Sequence, residues 1–303
     1  MSNKRNKKKT PVPVIIVLLL IIIPSVLSAV NSQNHSDKPV NQIKTNGENI
    51  VVHYLDVGQG DSEFIELPNG ECMLIDAGTA EYSQTIIDDI EAYGYSELDY
   101  VVATHPHADH IGGMRDVINS FDVGEVYMPK ASTDTKTFEN LLSTISEKGL
   151  SINTAKAGTE VYSDSELKIE FLAPVNSSYE DLNNYSAVVK ISYGSNSFLF
   201  TGDAEELSES EMLEKDYESL SCDVLKTGHH GSESSSSAEF LNAVCPKYAV
   251  ISCGAGNSYG HPHSETVERF ESAGVQIYRT DENGTITIAC DGNNGFDIQC
   301  EVE

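Results

Sequence analysis

Three short apolar runs open the patterned part of the chain: "IVVHYLDV" (50–57), "EFIEL" (63–67) and "CMLIDAG" (72–78), joined by "GQGD" and "PNGE". Alternating or β-branched residues bounded by glycine turns predict a three-strand meander. "EYSQTIIDDIEAYG" then changes the period, with Ile86, Ile87, Ile90 and Tyr93 at helical spacing and a stop at Gly94. "LDYVVATH" returns to a buried strand that ends at His105. Further strands follow in "LKIEFLAP", "AVVKISYG" and "SFLFTGD". The C-terminal part alternates helix "AEELSESEMLEKD", strand "CDVLKTGHH", helix "SAEFLNAV", strand "YAVISCG" and helix "SETVERFESAG", closing on strands "VQIYRT" and "GTITIAC". Strand-rich blocks with intervening helices predict a layered α/β domain, two packed sheets with helices outside. No internal boundary is visible after residue 49.

The N-terminus breaks this pattern. "KRNKKK" (4–9) precedes ten uninterrupted apolar residues, Val14 to Ile23, and then Pro24 and the small-residue stretch "SVLSAV". Residues 1–30 therefore read as a signal peptide or an N-terminal membrane anchor, since Val12 to Val30 approaches the about 20 residues a spanning helix needs. Either reading puts the body outside the cell, secreted or on the outer face of the cytoplasmic membrane. Residues 31–48 are polar and aperiodic, a flexible linker to a body at 49–303.

Charge narrows the partners. Among 303 residues, 47 are acidic and 19 basic, a net of −28, and five of the basic ones fall in the first nine positions. Such a body lacks the basic face that supplies most nonspecific affinity for polyanions, and its acidity favours a soluble monomer. The membrane enters only through the N-terminal segment. The six cysteines, at 72, 222, 245, 253, 290 and 300, suit an exported chain. Only Cys290 and Cys300, flanking the hairpin-like "DGNNG", suggest a pair; free thiols are the alternative.

Chemistry gathers at strand ends. His105, Asp203, the pair His229 and His230, and then His261 and His263 each follow an apolar run, where loops converge in layered folds. Seven of nine histidines lie in three loops, and residues 111–228 contain none. "ATHPHADHIGG" (103–113) packs His105, His107, Asp109 and His110 into six positions. Alternate residues of H-x-H-x-D-H fall on one side and the turn brings Asp109 and His110 round, so one loop can build two adjacent metal pockets. Imidazole suits zinc, manganese or iron, and carboxylate can bridge two ions.

"THPHADHIGG", with "LIDAG" before it and "FLFTGD" and "GHH" after it, resembles the signature of the metallo-β-lactamase fold, over about residues 50–290. "LDVGQGDS" (55–62), "YSAVVKI" (185–191), "DVLKTGHHGSESSSS" (223–237) and "GNSYGHPH" (256–263) are similar to the extracellular hydrolase domain of the DNA-uptake competence protein ComEC and its free-standing relatives. The resemblance implies a four-layer αββα fold, two mixed sheets with outer helices, and two divalent ions, zinc or manganese. His105 and His107 would hold one ion, and Asp109 and His110 the other. Asp203 would bridge them, and His229, or its neighbour His230, would complete the second. Asp76 would orient a ligating histidine or the loop backbone. The chain departs from the wider pattern in one place: "NNYSAVV" lacks the histidine many members give the first ion, which would then bind weakly, use Asn184 or Ser186 through water, or be a harder ion such as manganese.

Such a pair of ions makes hydroxide available at neutral pH and neutralises charge in an in-line attack on phosphorus. Asp109 would orient the nucleophile. His261, ahead of His263, would protonate the leaving group, and Lys226 would steer phosphate. The serines from Ser232 to Ser237 read as a polar loop capping a helix. The expected activity is an exported phosphodiesterase or nuclease, with a phosphodiester substrate, DNA among the candidates. Its alternatives are hydrolysis of a phosphocholine or wall-polymer ester or a β-lactam, and a catalytically weak, metal-stabilised binding module.

Overall fold

The computed structural model describes residues 47–302 except residue 294. The apolar run at 14–23 and the linker up to residue 46 lie outside them. No helix among the described residues is long and apolar enough to cross a membrane.

The meander forms as the pattern predicts: β1 (Ile50–Tyr54), β2 (Glu63–Glu66) and β3 (Cys72–Ile75) pair antiparallel. Helix α1 (Ser83–Tyr93) ends at Gly94, whose φ of 102° lets its N–H reach Ile90 and Glu91 carbonyls. Parallel strands β4 (Glu97–Val102), β5 (Asp122–Met128) and β6 (Ile152–Thr154) extend the sheet beyond β3. Between them run α2 (Ala108–Ile111), α3 (Met114–Ser120) and α4 (Lys136–Glu147).

A second sheet begins with antiparallel β7 (Glu160–Ser163), β8 (Leu167–Ala173), β9 (Val188–Tyr193) and β10 (Asn196–Phe200). After α5 (Glu206–Asp216) come β11 (Val224–Lys226), α6 (Ala238–Val244), β12 (Tyr248–Ile251), α7 (Ser264–Ser272) and β13 (Gln276–Arg279), whose strands continue the sheet in parallel. Past α8 (Thr280–Asn283), the hairpin β14 (Ile286–Cys290) and β15 (Phe296–Cys300) returns to the first sheet beside β1. The orders are β15-β14-β1-β2-β3-β4-β5-β6 and β13-β12-β11-β10-β9-β8-β7.

Alternation along each strand builds the layers. Val52, Tyr54 and Ile65 meet Ile169, Phe198 and Phe200 between the sheets. The opposite faces take Leu74 and Val101 to Ile86, Ile90 and Leu141 of the helices on one side, and Leu199 and Leu225 to Met212, Phe240 and Phe270 on the other. The result is helix, sheet, sheet, helix. Truncating a buried side chain such as Phe200 costs ~3–5 kcal/mol.

The cysteine pairing is corrected. All six are free thiols, and the hairpin sets Cys290 opposite Phe296 and Cys300 opposite Ile286. A four-residue offset along antiparallel strands keeps the two sulfurs apart.

Candidate metal centre

Strand ends and loops of both sheets converge on one place. The β1–β2 loop delivers Asp61, the end of β3 Asp76, and the segment after β4 His105, His107, Asp109 and His110. The ends of β10, β11 and β12 add Asp203, His229 with His230, and His261. Close backbone approach holds the loops together. A Cβ on Gly60 would lie 2.4 Å from Asp109 O, and Asp61 N donates to that same carbonyl.

Hydrogen bonds from the scaffold fix the Nδ1 of each inward imidazole, leaving Nε2 free at His110 and His230 and 3.0 Å from His107 Nδ1 at His105. His110 Nδ1 donates to Asp76 Oδ2 at 2.7 Å, and His230 Nδ1 to Ser252 O at 3.0 Å. His105 Nδ1 sits 3.1 Å from Thr104 Oγ1. Each Nε2 therefore faces the centre. Asp76, itself left-handed at φ 56°, also accepts from Thr104 N, so it anchors both His110 and the start of the loop.

Three ligand sets have donor atoms within 4.8 Å of one another: His105, His107 and Asp203; Asp109, His110 and His230; and Asp61, His110 and Asp203. Asp203 presents one oxygen to each side. Its Oδ2 lies 3.7 Å from His105 Nε2, and its Oδ1 3.2 Å from His110 Nε2 and 3.6 Å from His230 Nε2. His110 Nε2, His230 Nε2 and Asp203 Oδ1 are buried and make no hydrogen bond, while Asp61 Oδ1 lies behind, 3.1 Å from His230 Nδ1. Leaving such atoms unsatisfied costs about 1–3 kcal/mol each. A divalent cation satisfies them together, so these residues fit the group.

Electrostatics divide the cluster. Burial, then the neighbouring charge of His110, holds His105 well below the imidazole range. Burial also opposes charge on His110 and His230, but Asp203 and Asp76 overcome it at His110. Asp203 and Asp61 do so at His230, which rises to about 10. Asp203, though buried, is held well below the carboxylate range by His110 and His230. Cation uptake here displaces protons.

Several expected residues stand elsewhere. His230, not His229, joins Asp109 and His110, with Nε2 3.4 Å from Asp109 Oδ2. His229 turns its Nδ1 to Ser234 and Glu205 and its Nε2 toward Asp203 Oδ2, 3.8 Å away on the His105 side, with its ring 23% exposed on the cavity wall. Both residues are left-handed, at φ 47° and 53°, so their side chains diverge in a way that one step in sequence hides. Lys226 is wholly buried, its ammonium on Asp61 and Thr227 O. It balances a buried carboxylate and cannot reach a phosphate.

His261 lines the cavity, but burial and the charges of His230 and His229 push it down to about 4. At neutral pH it is an uncharged imidazole, which corrects its reading as a group titrating near neutrality. His263 accepts from Glu233 N and contacts Tyr259 O, holding loops together. Asn184 is spent on the scaffold, bonding Glu205 and Ser208 N, and Ser186 backs the site from behind, its Oγ accepting from Asp203 N and lying 3.4 Å from His105 Nδ1. The serine run is clamped by Glu209 on its amides and Arg269 on its carbonyls, and Ser237 caps α6.

The sequence reading missed Asp61, Asn183, Gln59 and Tyr259. Asn183, Gln59 and Tyr259 line the cavity of about 320 Å³ that opens on His107, Asp109 and Asp203. Asp61 sits in the motif "LDVGQGDS", where an aspartate after glycine looks like a turn residue.

Comparisons with known proteins agree with this geometry. The sequence profile described as "Metallo-beta-lactamase superfamily" matches residues 55–255. The chain is 32% identical over 252 residues to ComE operon protein 3 of Bacillus subtilis, covering 78% of this chain and 32% of that protein. It is 32% identical over 245 residues to Competence protein ComA of Neisseria gonorrhoeae, covering 80% and 33%. The chain thus spans about a third of the length of these ComEC-family relatives. Among solved structures, CmlA, a diiron β-hydroxylase from Streptomyces venezuelae, matches with a TM-score of 0.50 at 15% identity, over 78% of this chain and 53% of that one. At that identity the likeness shows the fold alone. The matched fold is one that binds divalent metal.

Proposed function

This chain belongs to the metallo-beta-lactamase superfamily of metal-dependent hydrolases, and from that premise we propose that it is an exported phosphodiesterase, acting on nucleic acid from outside the cell. The observation that carries the reading is Asp203, with one carboxylate oxygen facing each of two histidine-rich ligand sets. His105, His107 and Asp203 would hold one divalent ion, zinc or manganese, and Asp109, His110, His230 and Asp203 a second. When bound, the ions supply hydroxide at neutral pH and positive charge for a phosphoryl group.

The chain's own residues do the rest. Asp109, held below the usual carboxylate range chiefly because His230 and His110 outweigh its burial, stays ionised and orients an attacking water. His261 is neutral and stands on the cavity wall with its Nδ1 3.5 Å from Gln59 Nε2. It offers a hydrogen bond to the departing oxygen and no full proton transfer from an imidazolium. Both sets reach the cavity, and that of His105, His107 and Asp203 has two nitrogens and one carboxylate, a ligand mix that suits harder ions and phosphate oxygens. The competence names of the ComEC-family relatives support a nucleic-acid substrate.

The test offers the protein, with Mn²⁺ or Zn²⁺, single-stranded DNA, bis(p-nitrophenyl) phosphate and a chromogenic β-lactam. Phosphodiester cleavage is expected, and Asp203→Ala should lower kcat/KM at least about a thousandfold, the scale of several kcal/mol of lost charge stabilisation. Turnover of the lactam alone would overturn the reading. Cell fractionation against a periplasmic or surface marker checks the export.

A further inference from the structure

The loop between β12 and α7 is organised around one side chain. Asn257 Nδ2 donates to the carbonyls of Gly254 and His261, and its Oδ1 accepts from Tyr259 N and His261 N, both at 3.1 Å. Gln59 Oε1 ties Gly254 N to the β1–β2 loop. On this frame Tyr259 is 65% exposed, more than any other large apolar side chain described. Its ring stacks on His261, centroids 5.6 Å apart and planes 23° apart. The other exposed tyrosine, Tyr217, lies at the end of α5, away from the cavity that Tyr259 lines.

An exposed ring held rigidly beside a metal centre has a use that the charge of this protein sharpens. At a net charge of −28, and with no lysine or arginine among the described residues lining the cavity, coulombic attraction does little to hold a polyanion. Stacking on aromatic rings is the other main source of affinity for single strands. We propose that Tyr259 is the platform for a nucleobase next to the scissile phosphate, so that the site takes a single-stranded nucleic-acid segment with unpaired bases. The proposal rests on the phosphodiesterase reading and names its substrate class. Asn183 and Gln59 line the same cavity, their amides held by Glu205 and by Gly254 and His261. A quaternary ammonium headgroup is recognised by a cage of rings, and Tyr259 is a single one.

The experiment uses the full chain in mild detergent, loaded with Mn²⁺. Fluorescence anisotropy reads its binding of labelled phosphorothioate hexathymidylate, of the same strand with abasic residues, and of a phosphocholine ester. Stacking of one base is worth about a fivefold to 150-fold difference. The protein should therefore prefer the base-bearing strand by at least fivefold; Tyr259→Ala should erase that preference and Tyr259→Phe keep it. Equal binding of both strands, a preference that survives in Tyr259→Ala, or tighter binding of the phosphocholine ester would overturn the proposal. A base preference that depends on Tyr259 without any phosphodiester cleavage would sink the function proposed above and leave this inference standing. Cleavage of bis(p-nitrophenyl) phosphate without a base preference would do the reverse.

Discussion

The two halves of the metal centre are built to different standards. Around Asp109, His110 and His230 every scaffold-facing atom is fastened: Asp76 holds His110, Ser252 holds His230, and Asp61 stands behind both with the ammonium of Lys226 on it. Around His105 and His107 the histidine expected from the wider pattern is missing, and His105 Nδ1 is backed only by the hydroxyls of Thr104 and Ser186; the cavity reaches both halves, at His107 on one side and at Asp109 and His230 on the other. Burial pushes the imidazoles of both halves down, but it prevails only at His105 and loses to Asp203, Asp76 and Asp61 at His110 and His230, so the two halves shift in opposite directions. The carboxylate-backed, closed half favours tight retention of an ion, and the hydroxyl-backed half, one ligand short, favours exchange of ligands with substrate.

Breaking the closed half from behind should have the largest effect. Lys226→Met strands the buried Asp61 carboxylate, and removing one partner of a buried pair costs ~3–5 kcal/mol. Chemical denaturation should show that loss, whereas a lysine that steered substrate would raise KM and leave stability alone. Next comes the link between Asp76 and His110. Asp76→Asn keeps the shape but weakens the acceptor, and should cost about 10–100-fold in affinity for one of two calorimetric binding events. If both events weaken equally, the halves are not independent.

The smallest effect is a pH dependence of the metal-free protein. His110 and His230 have folded pKa values above the unfolded 6.5, so their contribution to stability is complete below 6.5 and fades as pH rises toward about 10. Asp203 and Asp61 are depressed despite burial, so their share is present above about 3.9 and fades in acid. With a chelator present, Tm should fall by several degrees between pH 6.5 and 9. With Mn²⁺ or Zn²⁺ present the trend should weaken or reverse, because the ion replaces those protons. A flat metal-free profile would remove the charged histidines from the closed half.

Much of this was legible in the chain before any coordinates. The meander, α1 with its glycine stop, and the Ser237 cap follow from periods and punctuation within a few residues of each other. The density of ligands from His105 to His110 needs only its own spacing. The reading assigns no element between residues 114 and 165, where β6 and β7 are short and their residues half or fully exposed, so their alternation is weak. The pairing of Asp61 with Lys226 stayed hidden because the two are 165 positions apart, so Lys226 reads alone as a phosphate-steering residue and Asp61 as an ordinary turn residue. His229 and His230 were indistinguishable because consecutive left-handed residues reverse the usual sense of which ring turns inward.

Chain-local facts, namely strand and helix periods, helix ends, overall acidity and the clustering of metal-binding side chains, are carried by covalent neighbours and survive without the fold. Which carboxylate joins which imidazole, which lysine is sealed away, and which tyrosine is left bare at the cavity depend on two sheets meeting face to face. That packing sets distance and burial between residues far apart in the chain, and those two quantities govern charge, ligand geometry and access.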